Sequence, residues 1–137
     1  MKNIQPTYAT FEQAKLLKEK EWRQRTKMVW LDSLGNQHLR EVDLSLELNN
    51  AEYDAPEQWQ IVEWLRVNHN IDLQDICNYG RLGRTYRMGI IFINEKKEVD
   101  TIFLRPIDTP FKFIEFNSPQ EAYSAAFDYI LNNSVFL

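Results

Sequence analysis

The residue types best suited to binding chemistry lie together at positions 78–89, which read Asn-Tyr-Gly-Arg-Leu-Gly-Arg-Thr-Tyr-Arg-Met-Gly. An arginine can direct two N–H groups at a phosphate or a carboxylate, and glycines let backbone N–H groups approach an anion. Tyrosine rings can stack on a nucleobase. No acidic residue lies from position 76 to position 94. The candidate binding residues are Tyr79, Arg81, Arg84, Tyr86 and Arg87.

The spacing of the three arginines decides which of them can act together. They recur at every third residue, and side chains three residues apart lie on opposite faces of an extended strand. The two glycines beside them can curve the chain and bring Arg81 and Arg84 together. We therefore expect Arg81 and Arg84, more than Arg87, to form any anion site, with Tyr79 alongside.

This stretch does not match a P-loop, because it lacks the Gly-Lys-Ser/Thr ending and leads into a strand rather than a helix. Two other interpretations of the stretch stay open. Polar stretches punctuated by glycine are common connectors, so the segment can be a flexible loop with its arginines in solvent. The arginines can also pair with the acidic segment 41–75, which holds nine acidic residues against Arg66.

Charge is unevenly distributed along the chain. Positions 15–27 hold six basic residues and two acidic ones, whereas the segment 41–75 is acidic. Such asymmetry can steer partners of either sign, and the simpler alternative is a solvated polar surface. The formal net charge of −4 gives no general signature of nucleic-acid binding.

Catalytic chemistry has one candidate pair, His69 and Cys77. They lie eight residues apart across a predicted chain reversal, and Asp72 or Asp75 could orient the histidine. A lone free cysteine is more often a small buried apolar residue, so we assign no catalytic residue. The spacing of His, Asp and Glu residues matches no metal-binding motif, so we expect no metal and no cofactor.

Three helices are predicted to position these residues. Each begins with an aromatic residue, a short capping residue, and an acid or amide in the first turn, which is the pattern of a capping box. The capping pairs are Thr10 with Gln13, Asp54 with Glu57, and Ser118 with Glu121. The helices are expected to end near Trp22, Asn70 and Asn132.

Between the helices the apolar pattern has a period of two, which is typical of strands. The predicted strands are 28–31, 37–42, 71–77, 86–93, 99–104 and 111–116. Segment 43–50 also alternates, through its leucines, but has no clear partner. The order of elements predicts an α+β fold, an antiparallel sheet of about 4–6 strands with three helices packed on it. At 137 residues, the chain is expected to form a single globular domain, 1–137.

Two tryptophans are expected at the surface because they stand beside charged residues, namely Trp22 and Trp59. An exposed aromatic patch would mark a protein interface, whereas single exposed apolar residues are normal. Apolar runs fall far short of the roughly 20 residues that a membrane helix needs, and the first ten residues lack an apolar signal core. With one cysteine, Cys77, the expected location is the cytoplasm, with no membrane partner.

Three parts of the chain resemble a group of small uncharacterised proteins from Bacteroides-type bacteria and their phages or prophages. The similar parts are 10–20 (Thr-Phe-Glu-Gln-Ala-Lys-Leu-Leu-Lys-Glu-Lys), 55–71 with its Ala-Pro, Trp-Leu-Arg and His-Asn-Ile motifs, and 121–129. The resemblance implies a bacterial or phage intracellular setting, and it carries no activity or catalytic residues.

The expected function is that of a small non-enzymatic accessory protein which binds another macromolecule, with a protein as the expected partner. Its contact surface is expected to combine the segment Arg81–Arg87 with the first helix. The alternative is a nucleotide or nucleic-acid binding module that uses the same arginines and tyrosines.

Overall fold

The computed structural model describes residues 5–81, 83–106, 108, 112–133 and 136–137. It confirms an α+β fold with three helices, whose strands are antiparallel. The chain divides into two compact units, and the division falls within the second helix, between Ile61 and Val62. The single-domain assignment stays a prediction.

The first unit contains one helix and one three-stranded sheet. The elements are α1 (Phe11–Glu19), β1 (Met28–Ser33), β2 (Asn36–Glu41) and β3 (Glu52–Asp54). Strand β1 lies between the other two and is antiparallel to both. The Phe11 ring meets Trp30 edge-on at 6.1 Å and Tyr53 at 5.6 Å, so α1 covers the sheet face that carries these two aromatics.

A crossover segment, residues 42–51, joins β2 to β3. These strands lie on opposite edges of β1 and are parallel to each other, so the segment must cross one face of the sheet. The segment contains no strand, although its alternating leucines resemble a strand pattern. The Asp43 carboxylate accepts hydrogen bonds from the Ser45 amide at 2.9 Å and the Ser45 hydroxyl at 2.8 Å, and this local turn replaces extended pairing.

The second unit contains a three-stranded meander and the last helix. Its elements are β4 (Asp72–Gly80), β5 (Gly83–Ile93), β6 (Val99–Phe103) and α3 (Pro119–Leu131), preceded by α2 (Gln58–His69), which spans the division. Helix α3 packs on β4 and β5. Its buried face, which includes Ala122, Ala126 and Ile130, has the helical spacing that the sequence predicts.

The prediction of one sheet of 4–6 strands is not confirmed, because the six described strands form two sheets of three. The predicted strand 111–116 forms no ladder within its described residues, 112–116. Phe116 makes an isolated two-way bridge with Tyr86, and the Ile114 amide donates to the Leu104 carbonyl at 3.0 Å. The predicted strand 71–77 is confirmed, and it continues to Gly80.

The helix starts follow the predicted capping chemistry at two of three places. Thr10 and Gln13 form a complete capping box. The Ser118 hydroxyl accepts from the Glu121 amide at 3.2 Å, while the Glu121 carboxylate accepts from the Asn117 amide. The predicted cap at Asp54 is wrong: that residue ends β3, and α2 begins at Gln58.

Helix α1 ends at Glu19, three residues before the predicted end. The amide of Trp22 donates to the Leu17 carbonyl at 2.9 Å, and the amide of Glu21 donates to the Lys18 carbonyl at 3.3 Å. These two bonds form a Schellman motif, with Glu21 at φ 68° where glycine is usual. The motif turns the chain so that Trp22 is buried, and the expectation of a surface Trp22 is wrong.

We predict that Glu21→Gly raises the free energy of unfolding by about 1 kcal/mol, because the left-handed backbone strains a residue that has a Cβ. The matched control is Glu21→Ala, which removes the same carboxylate and keeps the Cβ. Urea denaturation of both variants measures the difference. An equal gain in both would contradict the prediction and assign the effect to charge.

Candidate binding site at the tip of the β4–β5 hairpin

The candidate residues lie on a long hairpin rather than in a flexible loop. Strands β4 and β5 pair in register from Asp72 opposite Ile91 to Gly80 opposite Gly83. Arg84 therefore lies within β5, and the interpretation of this stretch as a loop is wrong for it. The predicted strand 86–93, which contains Arg87, is confirmed, and it begins earlier, at Gly83. Gly83 has φ 111°, a conformation that side-chain-bearing residues rarely adopt, and this allows the tight reversal.

One face of the hairpin carries the candidate side chains that remain in solvent. Tyr79 lies directly opposite Arg84, and Cys77 lies opposite Tyr86. The Tyr79 side chain is 79% exposed. Arg81, in the turn, and Arg84 are also exposed, and neither makes an ion pair or side-chain hydrogen bond with any described residue. We call Tyr79, Arg81 and Arg84 the hairpin tip.

Arg87 lies on the other face, as the spacing of three predicts, and it is held by several groups. Its Nε donates to Glu115 at 2.6 Å, and the Thr85 hydroxyl donates to the second oxygen of the same carboxylate at 2.6 Å. With its amide turned to satisfy both polar atoms, Asn78 accepts from Arg87 Nη2 at 3.2 Å. The guanidinium also lies 4.9 Å from the Phe113 ring centroid.

These contacts make Arg87 part of the fold. The bonds from Thr85 and Arg87 lower the pKa of Glu115, so the carboxylate stays ionised and keeps its acceptors. Arg87 thus faces a fixed anion, whereas the cations of the hairpin tip have none among the described residues. The geometry supports the expected order, in which Arg81 and Arg84 are better placed than Arg87 for an external anion.

The acidic segment 41–75 uses other cations. Its described ion pairs are Asp54 with Arg25, Glu52 with Arg40, and Glu63 with Arg66. Each pair lies within one unit. The alternative explanation, in which the hairpin arginines pair with this segment, is wrong for Arg87, whose partner is Glu115.

Several cations of the basic stretch 15–27 stabilise the first unit itself. The Lys18 ammonium lies 4.8 Å from the Tyr53 ring centroid, and Lys15 lies 5.6 Å from that of Phe11. Arg25 pairs with Asp54. The candidate site is therefore built from the hairpin alone, and a shared surface with the first helix stays a prediction.

The candidate catalytic groups have separate partners. His69 packs edge-on against Trp64 at 4.6 Å, and burial lowers its pKa. Asp75 accepts the Tyr123 hydroxyl at 2.9 Å, and burial together with this bond raises the pKa of Tyr123 to about 12. Cys77 is exposed, so its interpretation as a buried apolar residue is wrong. No cluster of three or more potential metal ligands occurs among the described residues.

Sequence reasoning missed the groups that hold Arg87. Thr85 and Arg87 are two residues apart on one strand, a spacing that places them on the same face. This spacing predicts that the two side chains share a face, but their common partner Glu115 lies 28 residues beyond Arg87 in the chain. Its approach depends on the bridge between Tyr86 and Phe116, which no local pattern encodes.

Comparison of the chain with known protein families, curated proteins and solved structures finds no match. Among the described residues, no helix has the length and apolar character needed to cross a membrane. Interpretation of the hairpin tip therefore depends on its own chemistry.

We predict that Arg87→Ala lowers the free energy of unfolding by about 1 kcal/mol, because it removes an ion pair and a cation–π contact. The double substitution Arg81→Ala/Arg84→Ala should change it by under about 0.5 kcal/mol, since both side chains are exposed. Thermal denaturation distinguishes them. A larger loss in the double variant would show that the hairpin tip is structural.

A second prediction concerns His69. Because its folded pKa lies below 6.5, the unfolded chain takes up the proton first as pH falls. The contribution of neutral His69 to stability is therefore lost as pH falls through 6.5. Urea denaturation of the native protein and His69→Gln on both sides of that pH should show the native protein losing more stability. Parallel pH profiles would contradict this.

Proposed function

We propose that this protein is a non-enzymatic accessory protein that binds another macromolecule through the hairpin tip, and that the partner is a protein with an acidic surface. The observation that carries the proposal is that Tyr79, Arg81 and Arg84 are exposed together without a described partner. Tyrosine and arginine are enriched among the residues that dominate protein interfaces. The neighbouring Arg87 is meanwhile held by Glu115.

The number of available cations favours a protein over a nucleic acid. The hairpin tip offers two, and the chain as a whole is acidic at −4. Two phosphate contacts with a single strand correspond to a salt slope of only about −1.4, which is weak for a nucleic-acid binder. The exposed Tyr79 ring opposite Arg84 favours the second candidate function, nucleotide or nucleic-acid binding by stacking and ion pairing.

The cellular setting is part of the same proposal. The resemblance of three segments to small proteins of Bacteroides-type bacteria and their phages supports an origin in a phage or mobile element. A lone exposed thiol, Cys77, is compatible with a reducing cytoplasm. Such a setting suits an accessory protein that acts by occupying a surface of its partner.

Photo-cross-linking tests the proposed function. A benzophenone amino acid in place of Tyr79 should capture a defined protein from cells of the source organism, and the same group in place of exposed Val99 should not. Adding Arg81→Ala/Arg84→Ala should reduce capture about tenfold or more, as expected for loss of residues that dominate an interface. Nuclease treatment should leave the cross-linked product unchanged.

A matched control removes two charges from the other hairpin of the same sheet. Lys96→Ala/Lys97→Asn suits this purpose, because Lys97 has φ 64° and asparagine tolerates that conformation. The control should leave capture unchanged. Equal capture from positions 79 and 99, or equal loss in both double variants, would contradict the proposed function. Capture that nuclease abolishes would replace it with the nucleic-acid alternative.

A further inference from the structure

The outer edge of β4 carries backbone groups that no described residue satisfies. Their direction follows from the bonds on the far side of β5, where the Tyr86 amide donates to the Phe116 carbonyl at 2.8 Å. Tyr86 and the other even-numbered residues of β5 thus bond away from β4, and the odd-numbered ones bond toward it. Through the pairing register, the outward-facing residues of β4 are therefore Leu73, Asp75, Cys77 and Tyr79.

The opposite edge of this sheet, β6, is partly blocked, whereas β4 is open. Thr101 faces outward from the middle of β6, but its amide donates to the Asp100 carboxylate at 2.9 Å. Strand β4 is nine residues long and has no lysine or proline, the residues that usually protect an edge. An open edge of this length accepts an added strand, because each outward residue offers one N–H and one C=O.

The outward residues of β4 suit antiparallel pairing with a second copy of the same strand. With a two-fold axis at Ile76, the pairs are Leu73 with Tyr79 and Asp75 with Cys77, each formed twice. Every outward residue then lies opposite another outward residue, and each pair exchanges two backbone hydrogen bonds. This one register satisfies the outward groups of both copies.

Neighbouring registers leave some of these groups unpaired. Moving the axis one residue toward the hairpin tip would set Leu73 opposite Arg81, which lies in the turn rather than in the strand. Moving it one residue the other way would set Tyr79 opposite Ile71, whose amide already donates to a carbonyl of α2 at 3.2 Å. The backbone therefore selects the axis at Ile76.

The side chains that this register brings together match one another. Ile76 is half-buried and lies opposite its own copy in a non-hydrogen-bonded pair, the position where side chains approach most closely. Tyr79, which is 79% exposed, has the Leu73 side chain of the other copy placed beside its ring. β-Branched and aromatic cross-strand pairs of this kind stabilise a sheet.

The charges along β4 identify a second copy as the occupant. The strand begins with exposed Asp72 and leads into exposed Arg81, and neither has a partner among the described residues. In the antiparallel register, Asp72 of one copy lies opposite Gly80 of the other, directly before Arg81. The acidic start of each strand thus meets the basic end of the other. Arg84 lies on β5 and stays available to the proposed acidic partner.

We propose that this protein forms a symmetric dimer by antiparallel pairing of β4 with β4 of a second copy, which joins two three-stranded sheets into one. Each copy has a single β4, so the assembly closes at two chains. The dimer goes beyond the proposed function, because it requires no other molecule. A cross-link from position 79 to the second copy gives two identical chains, which mass spectrometry distinguishes from a captured partner.

Sedimentation equilibrium and amide hydrogen exchange of the purified protein test the dimer. The mass should rise from one chain to two as the concentration increases through the micromolar range. Over the same range, exchange should slow by about tenfold or more at the outward amides of β4. The outward amides of Val99 and Phe103 on β6 are the control, and their exchange should not change.

Substitutions on β4 assign the contact. Cys77→Pro removes an outward N–H without removing a bond within the hairpin, so it should weaken dimerisation about tenfold. Cys77→Val keeps that N–H and should leave the dimer intact. Ile76→Lys should also weaken dimerisation about tenfold or more, because two ammonium groups then meet on the axis. Thermal unfolding of dilute samples verifies that each variant is folded.

A charge exchange tests the two ends of the interface. Asp72→Lys and Arg81→Asp should each weaken dimerisation about fivefold, because each puts like charges opposite one another. The double variant Asp72→Lys/Arg81→Asp should restore the dimer, since the opposite charges then meet again. Arg84→Ala is the control and should leave dimerisation unchanged, which separates the dimer from partner binding at the hairpin tip.

Four results would overturn the proposal. The mass of a single chain at every concentration would exclude the dimer. Equal dimerisation of Cys77→Pro and the native protein would place the interface away from β4, and so would a charge-exchanged double variant that stays as weak as its single variants. Growth beyond two chains would show open-ended association rather than a closed dimer.

Discussion

The pairing register of β4 with β5 is the constraint on which the candidate binding surface depends. Since side chains alternate along a strand, the register that sets Tyr79 opposite Arg84 also sends Arg87 to the other face. A slip of one residue would move Arg84 to the opposite face of the hairpin and bring Arg87 to the face of Tyr79. The reversal between Gly80 and Gly83 fixes that register, and Gly83 allows it through its φ of 111°, so a residue without side-chain chemistry helps to decide which cation is available to a partner.

Near the end of the hairpin, its two faces have different physical roles. On one face, the Glu115 carboxylate accepts hydrogen bonds from Arg87 and Thr85. These bonds join the beginning of β5 to the chain before α3. On the other, Tyr79 and Arg84 make no side-chain bond that the fold needs among the described residues. Farther from the tip, the face of Tyr79 and Arg84 carries the buried side chains of Met88 and Ile90, so this face serves the core there and is open to solvent only at the end of the hairpin.

Local chemistry in the sequence predicts much of this structure. The Thr10 capping box, the two strands around the turn at Gly35, and the buried helical face of α3 all follow from neighbours within a few residues. The missed features depend on contacts that no short pattern contains. Trp22 is buried because Glu21 adopts a left-handed conformation usually taken by glycine, and Glu115 reaches Arg87 only through tertiary pairing.

A basic side chain in this protein stabilises the fold where an acidic side chain is held opposite it, and otherwise stays in solvent. Arg25 meets Asp54, an acid that Thr26 already holds in place, so its guanidinium can bond the crossover segment without giving up its counter-charge. Lys27, two residues away, has no such acid among the described residues. An exposed ammonium without a fixed counter-charge stays hydrated in the folded protein and contributes little to the free energy of unfolding.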